Sequence, residues 1–159
     1  MKLLVMSDSH GNIERMQGAA ALITPDVVLH LGDHIADAYK LQRQLPGIPF
    51  YMVPGNCDFH SAGKTELLLV LEGVTIYMTH GHICGVKSGF DALIMRARRK
   101  NADLVLFGHT HQAIVQETNG LWLMNPGQMK HHDSIHTASY GIVTIKDGAF
   151  DCKIAALPS

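Results

Sequence analysis

Apolar runs recur along the chain, and nearly every one stops at a polar cluster. KLLVM (residues 2–6), VVLHL (27–31) and PFYMV (49–53) have the length and composition of buried strands. Two helix-like stretches separate them: Asn12 to Leu22, halted before Pro25, and DAYKLQRQL (37–45). The first third therefore reads βαβαβ, which predicts a largely parallel sheet with right-handed crossovers. The texture then changes. ELLLVL and VTIYMT flank Glu72-Gly73, a hairpin signal. A helix is expected over roughly 86–100, followed by the strand DLVLF (103–107). Two further hairpins close the chain, one turning at Thr118-Asn119-Gly120 and one at Lys146-Asp147-Gly148.

Helices are too few to cover both faces of one sheet this wide. The pattern predicts two sheets packed face to face with helices outside, an α/β four-layer sandwich. At 159 residues, without linker, repeat or low-complexity segment, residues 1–159 are expected to form a single domain.

Composition narrows the chemistry. Thirteen basic and fourteen acidic residues leave a net charge of −1, so no global field draws the protein to nucleic acid or acidic membranes. The one basic cluster, Arg96, Arg98, Arg99 and Lys100, reads as the solvated, dipole-matched end of a helix. No uninterrupted apolar run exceeds that at 67–71, too short for a membrane span, and no signal-peptide core precedes Asp8. Cys57, Cys84 and Cys152 are odd in number and lack a CxxC spacing, so a disulfide framework is not expected and a reducing cytoplasm is. Histidine, with eleven copies, is the excess that needs a chemical reason.

That reason lies where the strands end. After KLLVM come Asp8 and His10; after VVLHL, Asp33; after PFYMV, Asn56. After VTIYMT come His80 and His82, and after DLVLF, His109 and His111. Ligands of α/β sheets bind at the carboxyl ends of strands. In extended backbone, residues two apart project to one side, so Asp8 with His10, and His109 with His111, would each aim two donors at one place. Gly32, Gly55, Gly81 and Gly108 stand beside these residues, where the chain must turn or approach closely. A single histidine is most simply a satisfied loop residue, and Asp8 alone could cap a helix; five such clusters at five strand ends point to a metal centre. Carboxylates, an amide and imidazoles without a thiolate suit Mn²⁺, Fe²⁺, Zn²⁺, Co²⁺ or Ni²⁺. Seven ligands exceed the need of one ion and fit two sharing a carboxylate, the arrangement that serves phosphoryl transfer.

The blocks DSH (8–10), GD (32–33), GN (55–56), HGH (80–82) and GHTH (108–111) resemble the signature of calcineurin-like metallophosphoesterases. Length and spacing are similar to the small phosphodiesterase subfamily, to which the non-catalytic scaffold subunit of retromer is related, and NPG (125–127) matches its later block. The resemblance implies an α/β/β/α sandwich of two mixed sheets. It also implies a phosphodiesterase whose metal-bridging hydroxide attacks phosphorus in line with the leaving group. Asp8, His10 and His111 would bind the first ion, and Asn56, His80 and His109 the second, with Asp33 bridging. Mn²⁺ is the foremost ion. Asp33, Asn56 and His80 would act through metal and phosphate positioning, and His82 has no ligand role in the pattern.

This sequence departs from the family in two places. Cys57 stands where many superfamily members place a histidine that acts on the phosphate or the leaving group. After NPG, the subfamily's serine and Pro-Arg pair give way to Gln128, Lys130, His131, His132 and His136. A small phosphodiester is the expected substrate; long nucleic acid would need an extended positive track. A phosphomonoesterase or nuclease of the same fold, or an interaction scaffold, are the alternatives, and homo-oligomerisation is left open. Other phosphatase or hydrolase chemistries lack their motifs: no cysteine is followed six residues on by arginine, and no G-x-S-x-G turn occurs.

Overall fold

The computed structural model describes residues 1–130 and 137–158. Ten strands and three helices follow the predicted order. β1 (Lys2–Met6), α1 (Ile13–Ile23), β2 (Val27–His30), α2 (Ile35–Gln44) and β3 (Phe50–Met52) build the βαβαβ unit. β4 (Glu66–Leu71) and β5 (Val74–Thr79) form the first hairpin, and α3 (Asp91–Arg99) leads to β6 (Leu104–Leu106). β7 (Ile114–Thr118) pairs with β8 (Leu121–Asn125), and β9 (Ser139–Lys146) with β10 (Ala149–Ala156).

Two mixed sheets result, ordered β10-β9-β1-β2-β3 and β4-β5-β6-β8-β7. β1, β2 and β3 run parallel in one, as do β5, β6 and β8 in the other. The alternation of strand side chains explains the layering. Leu3 and Val5 of β1 join Ile76 and Met78 of β5 and Leu104 and Leu106 of β6 in a core between the sheets. Leu4 and Met6 face outward beneath α1 and α2, against Met16, Ala19 and Leu41. Tyr77, Val105 and Phe107 face outward on the second sheet, beneath Leu93 and Ala97 of α3. With both faces of the central strands covered, continuous apolar runs are what the fold requires.

The hairpin turns have the expected backbone. Glu72 and Gly73 both take positive φ, as do Asn119 and Gly120, and Asp147 and Gly148, the left-handed pairing that matches strand twist. The basic cluster is the last turn of α3 and its neighbour: Arg96 and Lys100 pair with Glu66, and Arg98 donates to the carbonyls of Thr118 and Asn119.

One element differs from expectation. The helix anticipated over 86–100 is shorter, because two 3₁₀ turns, His82–Cys84 and Val86–Ser88, precede it. Gly85 at φ 60° and Gly89 at φ 138° interrupt the helical ladder, so α3 starts only at Asp91.

Candidate metal centre

The parallel strands of both sheets deliver their carboxyl ends to one place. Backbone bonds stitch the loops there: Asp8 N–H donates to Gly32 O (2.9 Å), Gly108 N–H to His80 O (2.9 Å) and Met129 N–H to Ser7 O (3.1 Å). Side chains then cross between sheets. His109 N–H donates to Asp8 Oδ2 (3.2 Å), and His80 Nδ1 bonds Leu31 O (2.7 Å).

That last bond decides a tautomer. A carbonyl only accepts, so Nδ1 of His80 carries the proton and Nε2 turns a lone pair into the centre. Nε2 meets Asn56 Oδ1 at 3.1 Å and Asp33 Oδ1 at 3.5 Å, and Asp8 Oδ1 lies 4.0 Å away. His80 is fully buried, so no solvent relieves this gathering of acceptors. Asp33 spans the centre, with Oδ2 3.8 Å from His10 Nε2 while Oδ1 accepts from Cys57 N–H (3.0 Å). Asp8 Oδ1 lies 3.1 Å from His111 Nε2 but has no hydrogen-bond partner among the described residues, and neither has His10 Nε2. The ligand atoms of Asp8, His10 and His111 lie within 4.8 Å of one another, and so do those of Asp8, Asp33 and His80. His109 completes the ring, its imidazole 5.0 Å from that of His80. All seven residues singled out in the sequence thus face one centre.

The geometric reason given for the pairs needs correction. Asp8, His10, His109 and His111 are not extended: their φ angles are 53°, 46°, 69° and 62°, all left-handed. Asp33 is left-handed too, at φ 58°. These five residues sit in tight loops past their strands; strain of this kind is held only by surrounding structure. Crowding explains two of the glycines. A Cβ on Gly108 would lie 2.1 Å from Ser7 Oγ and 2.8 Å from Asp8 Oδ2, and one on Gly55 2.1 Å from Asp33 Oδ1.

Burial and neighbouring charge shift three of these side chains. Burial alone would raise Asp8, but the neighbouring His111 and His80 and the Ser7 hydroxyl hold it down at about 2. Burial, then the neighbouring His80 and Lys87, lower His109 to about 4, and burial with His34 lowers His10. The Asp8 carboxylate is thereby favoured as an anion and the His10 and His109 imidazoles as neutral donors, the forms that metal binding needs. Cys57 is an exposed thiol pushed up to about 11, by desolvation first and then by the Asp33 carboxylate.

Supporting residues went unnoticed in the sequence. Fully buried His30 accepts from Gly32 N–H at Nδ1 (3.2 Å) and meets Ser9 Oγ at Nε2 (3.2 Å). Ser9 Oγ donates to Asp37 Oδ2 (2.9 Å), which also accepts from Gly11 N–H (2.7 Å). This chain fixes the loops of Asp8, His10 and Asp33. Asp58 accepts from Ile35 and Gly55 N–H groups (3.0 and 2.9 Å), and Asn125 Nδ2 donates to Gly108 O and Thr110 Oγ1 (both 3.0 Å). A histidine inside the apolar run VVLHL was the one available signal. His82 packs by His80 at 5.3 Å with Nδ1 unpartnered among the described residues. Gln128 is buried beside Ser7's strand end, whereas His131, His132 and His136 lie outside the described residues.

Residues 1–148 match the calcineurin-like phosphoesterase superfamily domain. The chain belongs to that superfamily. A probable metallophosphoesterase, YsnB of Bacillus subtilis, is 36% identical over 152 residues, covering 94% of this chain and 87% of its own. The phosphodiesterase YfcE of Escherichia coli K12 is 27% identical over 193 aligned positions, covering 99% and 100%. The crystal structure of a predicted phosphoesterase from Streptococcus pneumoniae superposes with a TM-score of 0.80 at 27% identity, covering 98% of this chain and 88% of that one. A calcineurin-like phosphoesterase with these relatives is a metal-dependent phosphoric ester hydrolase, and its α/β sandwich is theirs.

Proposed function

We propose that the centre holds two divalent transition-metal ions and that the protein hydrolyses small phosphodiesters. The observation that carries this is the gathering of oxygens around the inward nitrogen of buried His80: Asn56 Oδ1, Asp33 Oδ1 and Asp8 Oδ1 all lie within 4.0 Å of its Nε2. Such a buried arrangement is costly unless cations lie among them. Asp8 Oδ1 and His10 Nε2, both buried and unpartnered among the described residues, fit the same reading.

Asp8, His10 and His111 form one ligand group and Asn56, His80 and His109 the other. Asp33 joins them, since its two oxygens face His80 and His10 respectively. When bound, divalent cations there supply Lewis acidity to a phosphoryl oxygen and bring water into its nucleophilic range near neutral pH. The Leu31 carbonyl fixes the ring plane of His80, and the His30–Ser9–Asp37 chain fixes the Asp8 loop; such outer partners preserve ligand geometry. Cys57, beside Asn56 and Asp33, would offer a phosphate ester only a neutral, weak donor. The donor set is of the oxygen and nitrogen type that Mn²⁺ accepts, with Fe²⁺, Zn²⁺, Co²⁺ and Ni²⁺ as competitors. Residues 1–159 act as one unit on this reading. Free Cys57, Cys84 and Cys152 suit a reducing cytoplasm, and no helix among the described residues is long and apolar enough to cross a membrane.

Metal analysis of the purified protein, followed by a Mn²⁺-supplemented screen of nitrophenyl mono- and diesters, tests the proposal. About two ions per chain and preferential diester hydrolysis are expected. Asp33→Ala should empty both positions, whereas His111→Ala should weaken mainly one. Full metal content and rate in Asp33→Ala would overturn the bridge; preferential monoester turnover would make the protein a phosphomonoesterase.

A further inference from the structure

A cavity of about 570 Å³ opens beside the metal centre and has no part in holding it. The loop that carries His109 and His111 forms one wall, through Thr110 and Gln112. The 3₁₀ turn before α3 forms the other, through Val86 and Lys87, with Phe90 and Ile114 also lining it. Its volume falls in the range of small-molecule sites, about 300–1,000 Å³.

Its chemistry is selective. Val86, Phe90 and Ile114 give an apolar surface, and Phe90 is held edge-on against buried Phe107, ring centroids 5.0 Å apart at 64°. Lys87 is the one charged lining residue, it is exposed, and no carboxylate pairs with it among the described residues. Thr110 Oγ1 accepts from both Asn125 Nδ2 (3.0 Å) and Gln112 N–H (3.3 Å), which leaves its own O–H to donate outward. A phosphate held at the centre would therefore have, on the side of His109, a ring-sized apolar slot ending in a cation.

We infer that this cavity is the substrate-selecting subsite: it takes an ester group consisting of a planar apolar ring that carries an anionic substituent, with the ring against Phe90 and the anion at Lys87. The inference rests on the proposed metal reading of the neighbouring centre and specifies the substrate class that centre serves. Ring stacking and burial give affinity, while the cation distinguishes acidic from neutral rings.

Three non-hydrolysable probes separate these contributions: methylphosphonate, phenylphosphonate and 4-carboxyphenylphosphonate, titrated calorimetrically into the Mn²⁺-loaded protein. Phenylphosphonate should bind about tenfold more tightly than methylphosphonate, in keeping with burial of one ring. The carboxylate should add a further factor of about three to ten, in keeping with a partly exposed charge pair. Lys87→Ala should abolish only the second step, and Lys87→Glu should invert it. Phe90→Leu, which keeps an apolar group against Phe107, should reduce the first step. Equal binding of all three by the unaltered protein would leave the metal reading standing and overturn the subsite. So would a uniform loss across all three in Lys87→Ala. If none of the three bound while the protein kept its metal, the subsite would fall and the metal reading would stand.

Discussion

Acidification of the metal-free protein should reveal His30. Its imidazole is fully buried, and burial lowers its pKa from 6.5 to about 4. The hydrogen bonds explain why the neutral ring is required: Nδ1 accepts from Gly32 N–H, so a proton there would set two donors against each other at 3.2 Å. In the unfolded chain the same ring takes up its proton near pH 6.5. Between about pH 6.5 and 4 the unfolded state therefore binds more protons than the native one, and stability rises with pH across that window. An interval of about 2.5 pH units, at about 1.4 kcal/mol per unit, gives a loss approaching about 3 kcal/mol by pH 4. That is a large share of the 5–15 kcal/mol typical of a domain. Urea unfolding of chelator-treated protein across this range, compared between the parent and His30→Asn, measures it. The variant keeps an acceptor for Gly32 N–H but cannot titrate, so it should start less stable and lose about 3 kcal/mol less on acidification. Parallel pH curves for the two proteins would refute the reasoning.

Other expectations are equally direct. Gly108→Ala places a Cβ 2.1 Å from Ser7 Oγ and should cost about 1–3 kcal/mol by overpacking, while displacing Asp8 and lowering metal affinity; an unchanged melting temperature and metal content would sink this. Cys57, a thiol pushed up to about 11, should be mild to remove; Cys57→His should narrow the rate gap between nitrophenyl and alkyl diesters, general-acid help being worth about 10²–10⁴. Inactivation of Cys57→Ala with metals retained would show that the thiol has an unassigned chemical role. With His109 neutral above about pH 4, its protonation should not limit activity near neutrality, and activity should climb from acid toward mildly alkaline pH; a maximum near pH 5 would contradict the mechanism.

Much of this was legible in one dimension because it depends on local chemistry. Runs such as KLLVM and VTIYMT had to be strands buried on both sides, and Asn-Gly and Asp-Gly had to turn hairpins. Ligand-type residues stand at the ends of those runs, so their convergence follows from the strands' parallel order. The tertiary structure decided what local pattern cannot encode. The reason for convergence is one example: periodicity suggested extended backbone at Asp8, His10, His109 and His111, but packing of two sheet ends forces left-handed loops there. The orientation of His80 is another, since its partner, the Leu31 carbonyl, is 49 residues distant in sequence. The role of His30, a polar residue inside an apolar strand, is a third, since only the fold brings Ser9 to it and Asp37 to Ser9. The late start of α3 likewise turns on Gly85 and Gly89, whose positive φ angles leave Lys87 and Phe90 to line the cavity rather than a helix. Side-chain type sets what chemistry a chain can perform; long-range contacts fix which lone pairs and charges meet, because they alone determine the distances on which coordination and electrostatics depend.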